Sequence, residues 1–136
     1  MGVERARMIT VVIDRLKWGR GFLLKPKTNK MCCLGFCALQ AGLEAKFIRG
    51  KELPPESPCA GKFFNAFPLL AEPLSKKAIQ VVETFGNHLY LASNQASRPY
   101  YHVLAYINDS RLSKKEREAG IVAIGALCGV KFEFVD

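Results

Sequence analysis

One apolar segment in the first third of the chain constrains the fold more than any other feature. From about Cys33 to Ala41, apolar side chains fall on nearly every face of the helix that this stretch predicts. A helix that is apolar all round is normally buried in the middle of a domain, because none of its faces favours contact with water. Gly42 suits the C-terminal cap, since glycine readily adopts the left-handed conformation that ends many helices. The sequence therefore predicts a central helix enclosed by other elements.

Four further segments have the apolar spacing of helices with one buried face. The clearest begins at Ser113-Lys114-Lys115-Glu116, which matches a capping box, and continues to about Cys128. The other predicted helices cover residues 4–17, 76–85 and 99–107. Helices therefore dominate the prediction.

Strand signals are fewer and shorter. Apolar and polar residues alternate over residues 130–135, which predicts a C-terminal strand, and residues 21–24 and 88–92 are further short strand candidates. Five prolines interrupt residues 50–74, so we interpret this stretch as a long irregular loop held to the core by its apolar side chains. The fold class that follows is α+β: a compact single domain over residues 1–136, mostly helical, with a small antiparallel sheet of two to three short strands.

The charge balance is strongly basic. The chain carries 20 Lys and Arg against 12 Asp and Glu, a net charge of +8. This excess favours an acidic partner, such as a phosphate backbone, a nucleotide, an anionic membrane or an acidic protein face, and a basic surface with no partner is the alternative. No apolar run approaches the roughly 20 residues that span a bilayer, and the N-terminus has no secretory signal pattern. We expect a soluble protein without a membrane partner.

The five cysteines indicate core packing more than chemistry. Cys32 and Cys33 are adjacent in an apolar run, which is typical of reduced thiols in a cytoplasmic protein. Cys33 and Cys37 fit only the outer edge of zinc-ligand spacing, and no second pair follows. A cysteine nucleophile paired with His88 or His102 would need a partly exposed thiolate, which apolar surroundings disfavour. We therefore expect no metal, no cofactor, no catalytic residue and no enzymatic activity, with a Cys-dependent enzyme as an alternative.

A basic and aromatic cluster near the N-terminus is the best functional signal. Positive charge interleaved with aromatic rings suits phosphates together with stacked bases. The predicted ligand- or partner-binding residues are Arg15, Lys17, Trp18, Arg20, Phe22, Lys25, Lys27 and Lys30. The alternative is a solvated edge with Trp18 packed inward. A second basic group, Lys114, Lys115 and Arg117, begins the last helix.

Three short motifs carry a resemblance to a known group of proteins. The chain contains Trp-Gly-Arg-Gly-Phe-Leu at residues 18–23, Cys-Cys-Leu-Gly-Phe-Cys-Ala-Leu at residues 32–39, and the pair Asn108-Asp109 before its last helix. In these motifs it resembles a widespread group of small accessory proteins encoded by tailed bacteriophages and prophages. The resemblance covers the two ends of the chain and leaves out residues 44–98. It implies a protein made in the cytoplasm of an infected bacterium, where small phage proteins often counter host defences by binding.

We therefore expect a non-enzymatic phage accessory protein that inhibits a bacterial anti-phage defence system. In one version it binds a host defence protein or a nucleoprotein complex. In the other it sequesters a nucleotide second messenger, with the basic cluster holding phosphates and Trp18, Phe22 or a tyrosine stacking the base. A basic nucleic-acid-binding protein is the alternative, and the positive charge argues against mimicry of DNA. The sequence leaves the oligomeric state open.

Overall fold

The computed structural model describes residues 8–84 and 98–136 of the chain. The strands and helices in these ranges are, in chain order, β1 (Ile9–Asp14), α1 (Cys33–Gln40), α2 (Ala60–Ala66), α3 (Lys76–Thr84), α4 (Tyr100–Asp109), α5 (Lys114–Leu127) and β2 (Val130–Val135). Short 3₁₀ helices at Ala45–Phe47, Pro54–Glu56 and Pro68–Ala71 lie in the connections. The mixture of helices with a small sheet confirms the α+β class.

The two strands pair in parallel, which corrects the predicted antiparallel sheet. Ile9 lies opposite Val130, and the register runs without a break to Asp14 opposite Val135. A tight hairpin would have made the strands antiparallel, whereas the intervening helices carry the chain back so that β2 runs in the same direction as β1. Residues 21–24 do not form the predicted strand, since Leu24 makes only an isolated bridge to Arg49.

The N-terminal prediction of a helix over residues 4–17 is wrong, because Ile9–Asp14 is strand β1. Val11 and Ile13 are buried while Val12 is exposed, so the burial follows the two-residue period of a strand. The sequence over residues 9–13 is Ile-Thr-Val-Val-Ile, and side chains branched at Cβ favour the extended backbone. Leu16, which follows the strand, is 77% exposed.

The predicted central helix is confirmed as α1. Its residues Cys33 to Ala38 are all buried, and the helix packs against β1 and α4. Gly42 follows with a φ of +92°, as expected for a glycine at the C-terminal end of a helix. Gly35 lets the helix approach the preceding loop closely, because a Cβ atom at this position would lie 1.9 Å from the carbonyl oxygen of Leu23.

The later helices begin where local signals placed them. The capping box at α5 is present, with the Ser113 hydroxyl accepting the Glu116 N–H at 3.1 Å and the Glu116 carboxylate accepting the Ser113 N–H at 3.0 Å. Ser75 caps α3 through its hydroxyl, which accepts the Ala78 N–H at 3.1 Å. The strand predicted over residues 88–92 lies outside the described residues.

The stretch over residues 50–74 is more ordered than the predicted loop. It contains α2 and two of the 3₁₀ helices, each of the latter with proline at its start, where a missing backbone N–H is tolerated. Phe63, Phe67 and Leu70 are buried, so the expected attachment to the core is present. Among the described helices, none has the length and apolar character needed to cross a membrane.

Candidate partner-binding surface around Trp18

Asn108, near the C-terminal end of α4, joins three segments that are distant in sequence. Its side-chain oxygen accepts hydrogen bonds from Trp18 Nε1 at 2.7 Å and from the Cys33 N–H at 3.1 Å. Its side-chain nitrogen donates to the Gly19 carbonyl and to Asp109 Oδ1, both at 2.9 Å. The residue is fully buried. Because both ends of the amide are engaged, its orientation is fixed, and we call this arrangement the Asn108 junction.

The Asn108 junction contains the three motifs on which the sequence resemblance rests. Residues 18–21 contribute to the junction from the segment after β1, and Cys33 contributes from the start of α1. Asn108 and Asp109 contribute from the end of α4. The Asp109 carboxylate adds one more bond by accepting the Gly21 N–H at 2.9 Å. These motifs therefore have a shared structural role, which is to connect the two ends of the chain.

The indole of Trp18 lies inside the fold at this junction. The residue is 6% exposed, and its ring meets the Phe134 ring edge-on with 4.8 Å between centroids. The Arg117 guanidinium lies 4.8 Å from the Trp18 ring centroid. A base stacked on this ring would need an open face, which the indole does not offer. Stacking by Phe22 or a tyrosine, the other residues expected for this role, stays a prediction. The alternative stated from the sequence, with Trp18 packed inward, is the arrangement observed.

The two basic groups predicted separately from the sequence meet around this buried ring. Lys114 Nζ, from α5, lies 5.9 Å from the Trp18 ring centroid. The Lys17 carbonyl accepts the N–H of Met31 at 2.8 Å, which places Lys17 beside the residue that follows Lys30.

Arg20 extends this surface toward α5, because its guanidinium donates to the Ser110 carbonyl at 3.2 Å. Four exposed basic residues come from these segments next to Trp18: Lys17, Arg20, Lys30 and Lys114. We call these four the Trp18 rim.

The other predicted site residues lie apart from the Trp18 rim or are already engaged. Arg15 is fixed by two hydrogen bonds to Glu118, at 2.8 and 3.0 Å, and by one to Asp136 at 3.1 Å. The bonds to Glu118 raise the pKa of Arg15 further above its usual value. Its charge is therefore balanced locally.

The remaining predicted residues lie between Arg20 and Lys30 in the sequence. Phe22 is half-buried, and Lys25 and Lys27 are exposed on the polar turn at residues 25–30. Lys27 adopts a φ of +75° in this turn. The contact between Lys17 and Met31 and the bond from Arg20 to Ser110 thus bring the segments that carry Lys17, Arg20 and Lys30 next to Trp18, and Lys25 and Lys27 lie along the turn.

Arg117 is the residue at this surface whose role the sequence did not reveal. It is 8% exposed, and its guanidinium donates to the carbonyls of Asn108 at 3.0 Å and Leu112 at 3.3 Å. Within the described residues no carboxylate forms an ion pair with it, and Asp109 and Glu118 act on it from a greater distance. Burial, followed by the nearness of Arg20, lowers the pKa of Arg117. The sequence shows a basic residue four positions after the Ser113 cap, but it does not indicate that this residue contacts Trp18.

The cysteines are free, and four of the five are buried. Burial raises the pKa of Cys32 and of Cys128 to about 12, and it raises the pKa values of Cys33 and Cys37 well above normal. In the parts of the chain that the structure describes, no three His, Cys, Asp or Glu side chains are grouped so that they could hold a metal ion.

Comparison of this chain with protein-family models, with curated proteins and with solved structures gives no match in any of the three. The site is therefore interpreted from its own geometry and charge.

Proposed function

We propose that this protein is a non-enzymatic phage accessory protein that binds a phosphate-bearing nucleoprotein complex of a bacterial defence system and thereby inhibits it. The observation that supports the binding surface is the Trp18 rim, in which four exposed cations lie on segments of the chain that meet next to Trp18. The phage setting rests on the resemblance of the motifs that form this junction.

The charges of the Trp18 rim are available to a partner. Within residues 8–84 and 98–136, none of the four rim side chains forms an ion pair. Exposed cations of this kind attract a polyanion because binding releases the counterions condensed on its phosphates. The overall charge of +8 acts in the same direction at longer range.

The buried position of Trp18 favours contacts with a phosphate backbone over recognition of a free nucleotide. Sequestration of a nucleotide signal would use a ring that stacks on the base. The indole is 6% exposed, and Phe22, the other aromatic residue of the basic cluster, is half-buried. Lysine and arginine contacts to phosphates need no such ring and are largely independent of base sequence. A complex that displays a nucleic-acid backbone therefore fits this surface better than a small second messenger.

The state of the thiols supports a binding protein over the Cys-dependent alternative. A cysteine nucleophile acts as the thiolate, and its reactivity falls when burial favours the protonated thiol. The pKa values of Cys32, Cys33, Cys37 and Cys128 are all raised by burial. These four thiols fit packing in the core.

An infection experiment with two matched triple variants tests the proposal. Bacterial strains that each carry one defence system would produce the wild-type protein, a rim variant with Lys17, Lys30 and Lys114 changed to Ala, or a control with Lys46, Lys76 and Lys77 changed to Ala. Both variants lose three exposed lysines, and the control positions lie outside the Trp18 rim. The plaquing efficiency of a restricted phage would be measured on each strain.

We expect the wild-type protein and the control variant to restore plaquing on a strain whose defence complex contains nucleic acid, and the rim variant to lose most of this effect. Equal restoration by both variants would show that the Trp18 rim is not the binding surface. Restoration only on strains whose defence acts through a nucleotide signal would contradict the choice of partner.

A further inference from the structure

We propose that Arg20, Lys114 and Arg117 form a seat for a single phosphate group beside the Trp18 ring. This inference deepens the proposed function and rests on it, since the seat would hold one phosphate of the bound nucleic acid. It goes further by naming the two exposed side chains that contact the anion, Arg20 and Lys114, and the 8% exposed Arg117, whose charge adds to theirs.

Both arginines are positioned by the same short turn between α4 and α5. Arg20 donates to the Ser110 carbonyl at 3.2 Å. Arg117 donates to the carbonyls of Asn108 and Leu112, at 3.0 and 3.3 Å, on either side of that residue. Carbonyl groups at the end of α4 and in the turn that follows it thus fix two guanidinium groups, which reduces the conformational entropy lost when an anion binds.

Lys114 completes the group from the first position of α5. Its ammonium lies 5.9 Å from the Trp18 ring centroid, and the Arg117 guanidinium lies 4.8 Å from the same centroid. Two cations therefore lie next to one indole. Arg20 is held at the turn that precedes α5 by its hydrogen bond. The indole supplies an apolar wall, which strengthens charge interactions by excluding water.

Within the described residues no ion pair involves Arg20, Lys114 or Arg117, although Asp109 and Glu118 act on Arg117 from a greater distance. Asp109 is the carboxylate nearest in sequence to the turn carbonyls, and its Oδ1 already accepts hydrogen bonds from Gly21 and Asn108 at 2.9 Å. Like charges held close together raise the free energy of the unbound site, and a bound anion relieves this repulsion. The lowered pKa of Arg117, caused by burial and then by Arg20, agrees with such crowding.

The donors that remain match the geometry of a phosphate. A guanidinium group has five N–H donors, of which the exposed Arg20 uses one in its bond to the Ser110 carbonyl. The fork of an arginine binds two phosphate oxygens at once, and the lysine ammonium acts as a point charge. A tetrahedral phosphate, whose unesterified oxygens can meet the arginine fork and the lysine from different directions, therefore fits better than a planar carboxylate.

The chain has one tryptophan, so its fluorescence reports directly on this site. The emission of Trp18 would be followed while inorganic phosphate replaces chloride at constant ionic strength, with sodium acetate as a second probe. The variant Arg20→Ala with Lys114→Ala would be compared with Lys25→Ala and Lys27→Ala, which removes the same charge from the polar turn. The charge-preserving pair Arg20→Lys and Lys114→Arg serves as a check on folding.

We expect a saturable change in emission with phosphate that the first double variant weakens by about tenfold or more, because each lost side chain removes charge-assisted hydrogen bonds. The polar-turn variant should weaken binding less than about twofold, since its charges are screened by solvent. The charge-preserving variant should bind phosphate measurably. The seat is wrong if phosphate produces no saturable change, if both Ala variants weaken binding equally, or if acetate binds as tightly as phosphate.

The two proposals fail in different ways. If phosphate produces no saturable change in Trp18 emission and the rim variant fails to restore plaquing, the seat is wrong and the proposed function stands. If phosphate binds at Arg20 and Lys114 and the rim variant restores plaquing fully, the proposed function is wrong and the seat stands.

Discussion

Asn108 satisfies a tryptophan N–H, a backbone N–H and a backbone carbonyl with a single buried side chain. The partners Trp18 and Cys33 are themselves buried, so water does not easily replace the asparagine oxygen. A buried donor left without an acceptor costs roughly 1–3 kcal/mol. The residue therefore stabilises the fold and, through Trp18 and Gly19, positions the Trp18 rim.

The Asn108→Ala variant tests this role. It leaves the Trp18 Nε1–H and the Cys33 N–H without their acceptor, so we expect the free energy of unfolding to fall by roughly 3 kcal/mol. Urea unfolding followed by circular dichroism measures the change. Asn65→Ala, at an exposed position of α2, is the matched control and should shift stability by less than about 0.5 kcal/mol. A similarly small effect of Asn108→Ala would contradict the junction as described.

At the scale of the element, the packing of α1 depends on Gly35, because the neighbouring loop leaves no room for a side chain at this position. A Cβ atom at Gly35 would lie 1.9 Å from the Leu23 carbonyl oxygen and 2.9 Å from the Met31 Cβ. The nearest obstacle is backbone, which cannot rotate away as a flexible side chain would. The Cys-Cys-Leu-Gly motif therefore has a packing explanation, in which the glycine lets the central helix contact the segment that precedes it.

Two glycine-to-alanine changes separate packing from helix propensity. Gly35→Ala should lower the unfolding free energy by roughly 3 kcal/mol, near the upper end of overpacking costs. Gly61→Ala in α2 has no atom within 4 Å of the new methyl group, so it should be neutral or stabilise by up to about 1 kcal/mol. Thermal unfolding of both variants checks the difference. Equal shifts for the two proteins would show that close packing at Gly35 is unimportant.

Elements whose signals are local could be predicted from the sequence, and elements decided by distant contacts could not. Helix α5 begins at a capping box contained within four residues, and the structure has both of its hydrogen bonds. Strand β1 was mistaken for a helix because its apolar residues fit both spacings over a short window. Its extended backbone depends on pairing with β2 at the other end of the chain.

The candidate site shows the same division. The residue types of the Trp18 rim were visible as two basic groups in the sequence. Their meeting around Trp18 depends on hydrogen bonds such as Trp18 to Asn108, which joins residues 90 positions apart. Charge pattern alone also could not show that Arg15 is neutralised by Glu118 while Arg20 makes no ion pair within the described ranges.

At the scale of the whole molecule, the parallel sheet and the Asn108 junction bring the two ends of the described chain together. The Trp18 rim draws Lys17, Arg20 and Lys30 from one end and Lys114 from the other. A surface built in this way exists only in the folded protein, so binding should be lost on unfolding. The net charge of +8 provides attraction over a longer distance, and the rim provides the contact.

The most direct test of the central claim is the salt dependence of binding to a short fluorescein-labelled DNA duplex, measured by fluorescence anisotropy. We expect the logarithm of the binding constant to fall steeply with the logarithm of salt concentration. The Lys17, Lys30 and Lys114 triple variant should reduce this slope by roughly one unit per lysine, while the Lys46, Lys76 and Lys77 control should leave it nearly unchanged. Binding that does not respond to salt, or equal slopes for the two variants, would contradict the claim that the Trp18 rim binds phosphates.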